Sequence, residues 1–422
     1  KLGDVMNISS AKKDKHLLSR RGFLNGAIAG TGTIILSDRL AIAQNMLMGS
    51  SELSINDIQG WGEKPGFVNI GMNENPHGPS PMAIRAVADN LMDTNRYDFG
   101  SPIKLNTSVG EYHGLPKLER ETTGWGPSSY YPVYVEGGSS YILRQVAVHY
   151  GIRNGVGEII EAIPGYGGIS REINNHSRRV GSEVNIKRIE TTKDLKHDLG
   201  KMLDAVTSET TLIVITNPNN PTGTIVSHEE IESFVEAVPE NIIILIDEAY
   251  IDFVREPGYQ DCIDLSQKYN NVIVTRTFSK VFGLAGMRVG YAVGNIDLME
   301  DLSSFGNSGG IGSINCYAAI AALKDRAFVR RVLRITNEMK EYFYTELESI
   351  GLDYIPSHSN FVLVNVGQDG AEVQKKMFTR NIQLSRLGLA NNERLENYIR
   401  VTMGTPDEMQ VAVRVLKEEL AS

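Results

Sequence analysis

Short unbroken apolar runs alternate along much of this chain with segments whose apolar residues recur every three or four positions. Leu212–Ile215, Ile242–Ile246 and Val272–Thr275 are runs of the first kind, rich in β-branched residues. Such runs predict strands buried on both faces. Val133–Glu136, Glu158–Ala162, Val184–Ile189 and Arg288–Val293 complete a set of predicted strands. Ser227–Val238 and Asp261–Tyr269 carry helical spacing between them. This alternation predicts an α/β class, with a mostly parallel sheet covered by helices on both faces.

The pattern changes from about residue 318. A long helix is predicted over Phe328–Ile350, burying Val329, Val332, Leu333, Ile335, Met339, Phe343 and Leu347. Short strands at Phe361–Val366, Ile382–Leu384 and Tyr398–Thr402 follow, then an amphipathic helix over Pro406–Leu420. The expected organisation is a leader at 1–43, an arm and part of a small domain at 44–91, a large domain at 92–317 and a small α+β domain at 318–422.

The 422 residues suffice for a sizeable core. A net charge of −9 and a pI near 5.5 give no support to nucleic-acid binding. Two cysteines, Cys262 and Cys316, supply neither a disulfide framework nor a cysteine-rich metal site, and no HExxH run is present. A metal has no assigned role.

The chemistry gathers at the ends of three predicted strands. Lys280 follows Thr277 and Ser279 and precedes Arg288 in a Gly-rich run. An amine for a Schiff base, with hydroxyls and a cation for a phosphate, is what pyridoxal phosphate (PLP) requires. Asp247, in Asp247-Glu248-Ala249-Tyr250, ends a buried strand and needs a cationic partner, which a protonated pyridine nitrogen supplies. Asn220 lies in Asn217-Pro218-Asn219-Asn220-Pro221-Thr222-Gly223 beyond another strand. Taken singly, these runs also read as a solvated loop, a strand-end cap and ordinary turns. Their common place, at the carboxyl ends of successive strands, is where open α/β sheets bind ligands.

In this order and spacing the motifs resemble fold-type I PLP-dependent aminotransferases of class I/II, with the histidinol-phosphate aminotransferase-like branch nearest. Asn73-Glu74-Asn75-Pro76, Asn95-Arg96-Tyr97, Gly137-Gly138-Ser139-Ser140, Pro164-Gly165-Tyr166 and Tyr398-Ile399-Arg400 agree with it. The resemblance implies PLP on Lys280, which also acts as general base and acid, with Asp247 at the ring nitrogen. It places Asn220 and Tyr250 at the phenolic oxygen and Tyr166 on the ring face. Ser139, Ser140, Thr277, Ser279 and Arg288 are expected at the phosphate, joined by Tyr97 from the neighbouring subunit of a homodimer. Asp98-Phe99-Gly100 departs from the proline-containing run usual after that tyrosine. Arg400 is expected to clamp the substrate carboxylate, with Asn73 at the substrate and Arg386 a candidate for a second anionic group. The implied reaction exchanges an amino group between an amino acid or amine and a 2-oxo acid. Decarboxylation, elimination or cyclisation on the same fold is the alternative, and an idle binding protein is a third reading.

Near the N-terminus, Ser19-Arg20-Arg21-Gly22-Phe23-Leu24 resembles a twin-arginine export signal. An uncharged stretch, Gly26–Leu36, and a small-x-small site at Ala41-Ile42-Ala43 follow. The stretch is too short for a membrane anchor. A periplasmic location reached through the twin-arginine machinery is expected, with a basic tail on a cytoplasmic enzyme as the alternative.

Overall fold

The computed structural model describes residues 60, 63–119, 129–152, 155–306, 310–385, 389 and 392–421. The predicted export signal and Arg386 lie outside the described residues.

Seven strands form the main sheet: β1 (Val133–Glu136), β2 (Val156–Ile163), β3 (Glu183–Glu190), β4 (Thr210–Thr216), β5 (Ile243–Asp247), β6 (Val272–Thr277) and β7 (Gly290–Gly294). Their spatial order is β1-β7-β6-β5-β4-β2-β3. The pairs among β3, β2, β4, β5 and β6 are parallel, whereas β7 runs antiparallel to both β6 and β1. Alternation within the apolar runs splits the core into two layers. Ile213, Ile215, Ile244, Ile246, Val272 and Val274 pack in one, with Phe234, Phe278 and Ala318. Leu212, Val214, Ile243, Leu245 and Ile273 pack in the other, with Ile142, Val146, Ile169 and Ile173. Each such side chain contributes roughly 1.5–3 kcal/mol on burial. The edge strand β3 instead alternates exposed and half-buried positions.

The helices that matter to the site are α1 (Pro81–Asn90), α2 (Gly100–His113), α3 (Ser139–His149), α4 (Gly168–Val180), α5 (Ser313–Lys324) and α6 (Arg326–Glu348). α5 packs on α1 and α2. A three-stranded antiparallel sheet follows, β8 (Tyr354–Ile355), β9 (Phe361–Asn365) and β10 (Tyr398–Thr402), in the order β8-β9-β10.

Three local expectations are corrected. Ile382–Gln383 is a two-residue strand pairing in parallel with Val68–Asn69, because Leu384 leads out of register into the bridge between Ser385 and Arg400. Arg288 stands before its strand with φ 51° instead of inside it. In α6, Ile335 and Met339 are only half-buried, and the fully buried stripe includes Lys340, whose Nζ donates to the Ser357 carbonyl at 3.0 Å. A long side chain can carry its amine to a backbone acceptor across an otherwise apolar face. Among the described residues no helix is long and apolar enough to cross a membrane.

Candidate active site

The register of the sheet assembles the site. Thr216, Asp247 and Thr275 stand side by side near the carboxyl ends of β4, β5 and β6. Gly290 pairs with Thr277 on one side and Glu136 on the other. Because β7 is antiparallel, its amino end brings Arg288 to the edge where β1 delivers Ser139. One cavity of about 290 Å³ at this edge is lined by Ser139, Ser140, Tyr166, Asn220, Asp247, Tyr250, Thr277, Ser279, Lys280 and Arg288. Residues separated by more than a hundred positions are thus brought together at one sheet edge.

The cavity has an acidic floor, an amine and a donor-rich end. Asp247 is buried, and its Oδ1 accepts from Thr275 Oγ1 at 3.2 Å. Burial lifts its carboxyl to about 6, against the Thr275 hydroxyl, the Ala249 N–H and Lys280, which pull it down. Among the described residues Asp247 makes no ion pair. Burial likewise lowers Lys280 to about 8, with Arg400 and Arg288 adding to the effect and Glu74 and Asp247 opposing it. The Lys280 amine lies 3.4 Å from the Met72 carbonyl and 5.4 Å from the Tyr250 ring centre.

At the donor-rich end, α3 begins at Ser139 after Gly138, and no side chain caps it. Its first N–H groups therefore face the cavity end with the positive end of the helix dipole behind them. Thr277 Oγ1 donates to Ser279 Oγ at 2.9 Å, and Arg288 Nη1 reaches the same oxygen at 3.4 Å. Gly138 has φ 98°, and a Cβ there would stand 2.5 Å from Arg288 Nη2, so the guanidinium is seated against bare backbone. Helix N–H groups, two hydroxyls and a guanidinium form an anion cup, while an unpaired, desolvated carboxyl faces the same cavity. A phosphorylated, protonated pyridine fits this set of groups.

A hydrogen-bonded frame stands behind the cavity. Asn73, with φ 55°, donates through Nδ2 to the Tyr250 hydroxyl at 2.9 Å, while its Oδ1 accepts from Thr402. Asn220 Nδ2 reaches the same hydroxyl at 3.5 Å. Arg400 donates to Asn220 Oδ1 at 2.7 Å and to the Gly71 carbonyl at 2.8 Å. Burial raises the Tyr250 phenol, against Arg400 and Asn73, which lower it. Arg400 and Asn73 therefore stand behind the cavity wall. Tyr97 is not brought to it: its ring is 92% exposed and stacks on Phe99 at 5.8 Å. Asp98 anchors that turn, accepting from Gly100 N, Ser101 N and Tyr317 Oη. Sequence reasoning overlooked Glu74 and Met72, which line the cavity. It also missed Asn360, whose Nδ2 holds the Asn73 carbonyl at 3.1 Å. Glu74 stood inside a quoted motif, and its acid between two asparagines was the available signal.

Residues 65–416 match the family described as aminotransferase class I and II. A histidinol-phosphate aminotransferase of Moorella thermoacetica is 32% identical over 371 residues, 88% of this chain and 87% of the relative. A second, from Nitrosococcus oceani, is 32% identical over 84% of this chain and 89% of its own length. The crystal structure of histidinol-phosphate aminotransferase from Sinorhizobium meliloti, in complex with pyridoxal-5'-phosphate, superposes with a TM-score of 0.72 at 24% identity, covering 84% of this chain and 90% of that one. The chain belongs to the class I and II aminotransferase family and is a PLP-dependent transaminase of fold type I.

Proposed function

We propose that Lys280 moves the proton in an amino-group exchange between an α-amino donor and a 2-oxo acid, with Asp247 fixing the cofactor's charge. The observation that carries this reading is that Lys280 and Asp247 line one cavity, each displaced toward neutral pH. Bound PLP supplies a sink for the electron pair left when the donor's α-carbon loses its proton. A lysine lowered to about 8 is partly neutral near pH 7.5, so it can take that proton and return it elsewhere. The Asp247 carboxylate holds a positive ring nitrogen, while Asn220 and Tyr250 donate to the phenolic oxygen. Ser139, Ser140, Thr277, Ser279 and Arg288 hold the phosphate, and Tyr166 covers the ring. Arg400 takes the α-carboxylate, helped by the frame through Asn73. Arg386 is the candidate for a distal anion.

Tyr97 fits a role in a neighbour's site, because a firmly anchored turn exposes its ring to solvent in its own chain. We therefore infer a homodimer with shared active sites. The relatives' names bring histidinol phosphate into the donor panel. The Arg20-Arg21 run and Ala41-Ile42-Ala43 support export through the twin-arginine route to the periplasm. N-terminal sequencing of protein from native periplasm should find Gln44 first. Native protein confined to the cytoplasm and still carrying Arg20 and Arg21 would refute the export reading.

The test of the reaction is a half-reaction without acceptor. A panel of amino donors, histidinol phosphate included, should yield one 2-oxo product or carbonyl compound per site, with no carbon dioxide. Adding a 2-oxo acid should restart turnover. Stoichiometric carbon dioxide, or ammonia release without acceptor, would sink the transaminase mechanism for that donor.

A further inference from the structure

Tyr166 also lines a second cleft, of about 550 Å³, whose lining does not include Lys280. Its walls come from α4, the edge strand β3 and the segment at Asn392. Arg171, Asn174, Asn175 and Arg178 line it from α4 at i, i+3, i+4 and i+7, a single helical face. Arg188 lines it from β3 and is joined to Glu161 at 3.2 Å. Glu161 is the cleft's one acid among the described residues, and burial lifts its carboxyl above the usual range against Ser170 and Arg188. Arg171 and Arg178 make no ion pair among the described residues.

Asn392 supplies an independent sign of a missing ligand. It is only 8% exposed, and its Oδ1 accepts from the Arg394 N–H at 3.0 Å. That bond fixes the amide's orientation and leaves Nδ2 as a buried donor at the cleft without a partner among the described residues. A buried donor without an acceptor is costly. Two guanidiniums and the Asn392 Nδ2 group are donors only, which selects for an anion. Tyr166 lines both the cleft and the Lys280 cavity, and the Arg171 charge acts on its hydroxyl.

We propose that this cleft is an outer subsite for the anionic tail, a phosphate or carboxylate, of an extended substrate whose amino end lies in the Lys280 cavity. The proposal rests on the transaminase reading of that cavity. Arg171 and Arg178 provide the charge, Asn392 the oriented hydrogen bond, and Tyr166 the ledge over which the substrate passes. A short anionic donor does not reach the cleft.

The test uses PLP-loaded full-length enzyme and two matched pairs: O-phospho-L-tyrosine with L-tyrosine, and O-phospho-L-serine with L-serine. Titration calorimetry gives the affinities, and turnover of an uncharged donor such as L-alanine gives the basal activity. Wild type should bind O-phospho-L-tyrosine more tightly than L-tyrosine, with the advantage shrinking as salt rises. Arg171→Gln combined with Arg178→Gln should cut that advantage about tenfold, as expected for two exposed ion pairs. Asn392→Asp, which places a carboxylate in the cleft, should cut it at least as far. The serine pair and L-alanine turnover should stay within about twofold. Equal affinity for the two tyrosines in wild type, or an advantage that survives all three substitutions, would overturn the subsite. L-alanine turnover alongside either result leaves the transaminase reading standing. An advantage that the substitutions abolish, in a protein that transaminates nothing, retains the subsite and fails the reading of the cavity.

Discussion

The two hollows that share Tyr166 are built from opposite materials. In the inner one, Asp247 and Lys280 are moved to about 6 and about 8, chiefly by burial. In the outer one, Arg171 and Arg178 sit exposed on a helix face. The inner groups come from separate strands and are held by sheet register, so each is aimed within a rigid frame. The outer groups come largely from one helix and keep long, mobile stems. Burial with register makes chemistry, whereas exposure with repetition makes at most recognition. Substitutions should divide the same way.

The inner hollow should give the largest losses. Lys280→Ala should lower kcat by about 10⁴-fold or more, since one substitution removes both the attachment point and the proton carrier. Asp247→Asn should follow at about 10³-fold with PLP partly retained, measured as kcat at saturating cofactor. A loss under tenfold would move Asp247 from chemistry to architecture.

Loading of PLP onto cofactor-free enzyme sharpens the contrast through pH. Lys280 must be neutral to attack, and the neutral fraction rises as pH climbs through about 8. Asp247 must be ionised to hold the ring nitrogen, a state reached as pH climbs through about 6. Stopped-flow loading should therefore accelerate between pH 6 and 8, and Asp247→Asn should abolish the lower limb. A rate that is flat over this window contradicts both assignments.

Tyr97→Phe should weaken PLP retention by about tenfold, the value of a hydrogen bond to a charged group. In mixed dimers with Lys280→Ala, the loss should fall on the subunit facing the substituted tyrosine. Equal loss in every subunit would return Tyr97 to a structural role.

The inner site was legible because it breaks the pattern around it. A buried β-branched run that ends on an acid, an amide turn or a lysine is locally improbable, and three such breaks in succession mark a sheet edge. The strand limits were read to within a residue or two for the same reason. What escaped was decided by contacts distant in sequence. Asn73 and Arg400 read as substrate residues, and nothing in their motifs shows the frame that also ties them to Tyr250 and Asn220, which rests on the pairing of β9 and β10. Lys340 falls outside the buried stripe that spacing predicts, because periodicity cannot reveal a carbonyl waiting at Ser357. The α4 stripe has the spacing of any amphipathic helix, and its arginines gain meaning only beside Asn392.

The most direct test of the central claim is to reduce the PLP-loaded enzyme with borohydride, digest it and map the pyridoxyl group by mass spectrometry. The label should fall on Lys280, with none on the Lys280→Ala protein. A pyridoxyl group on any other lysine of the wild-type enzyme would contradict that claim.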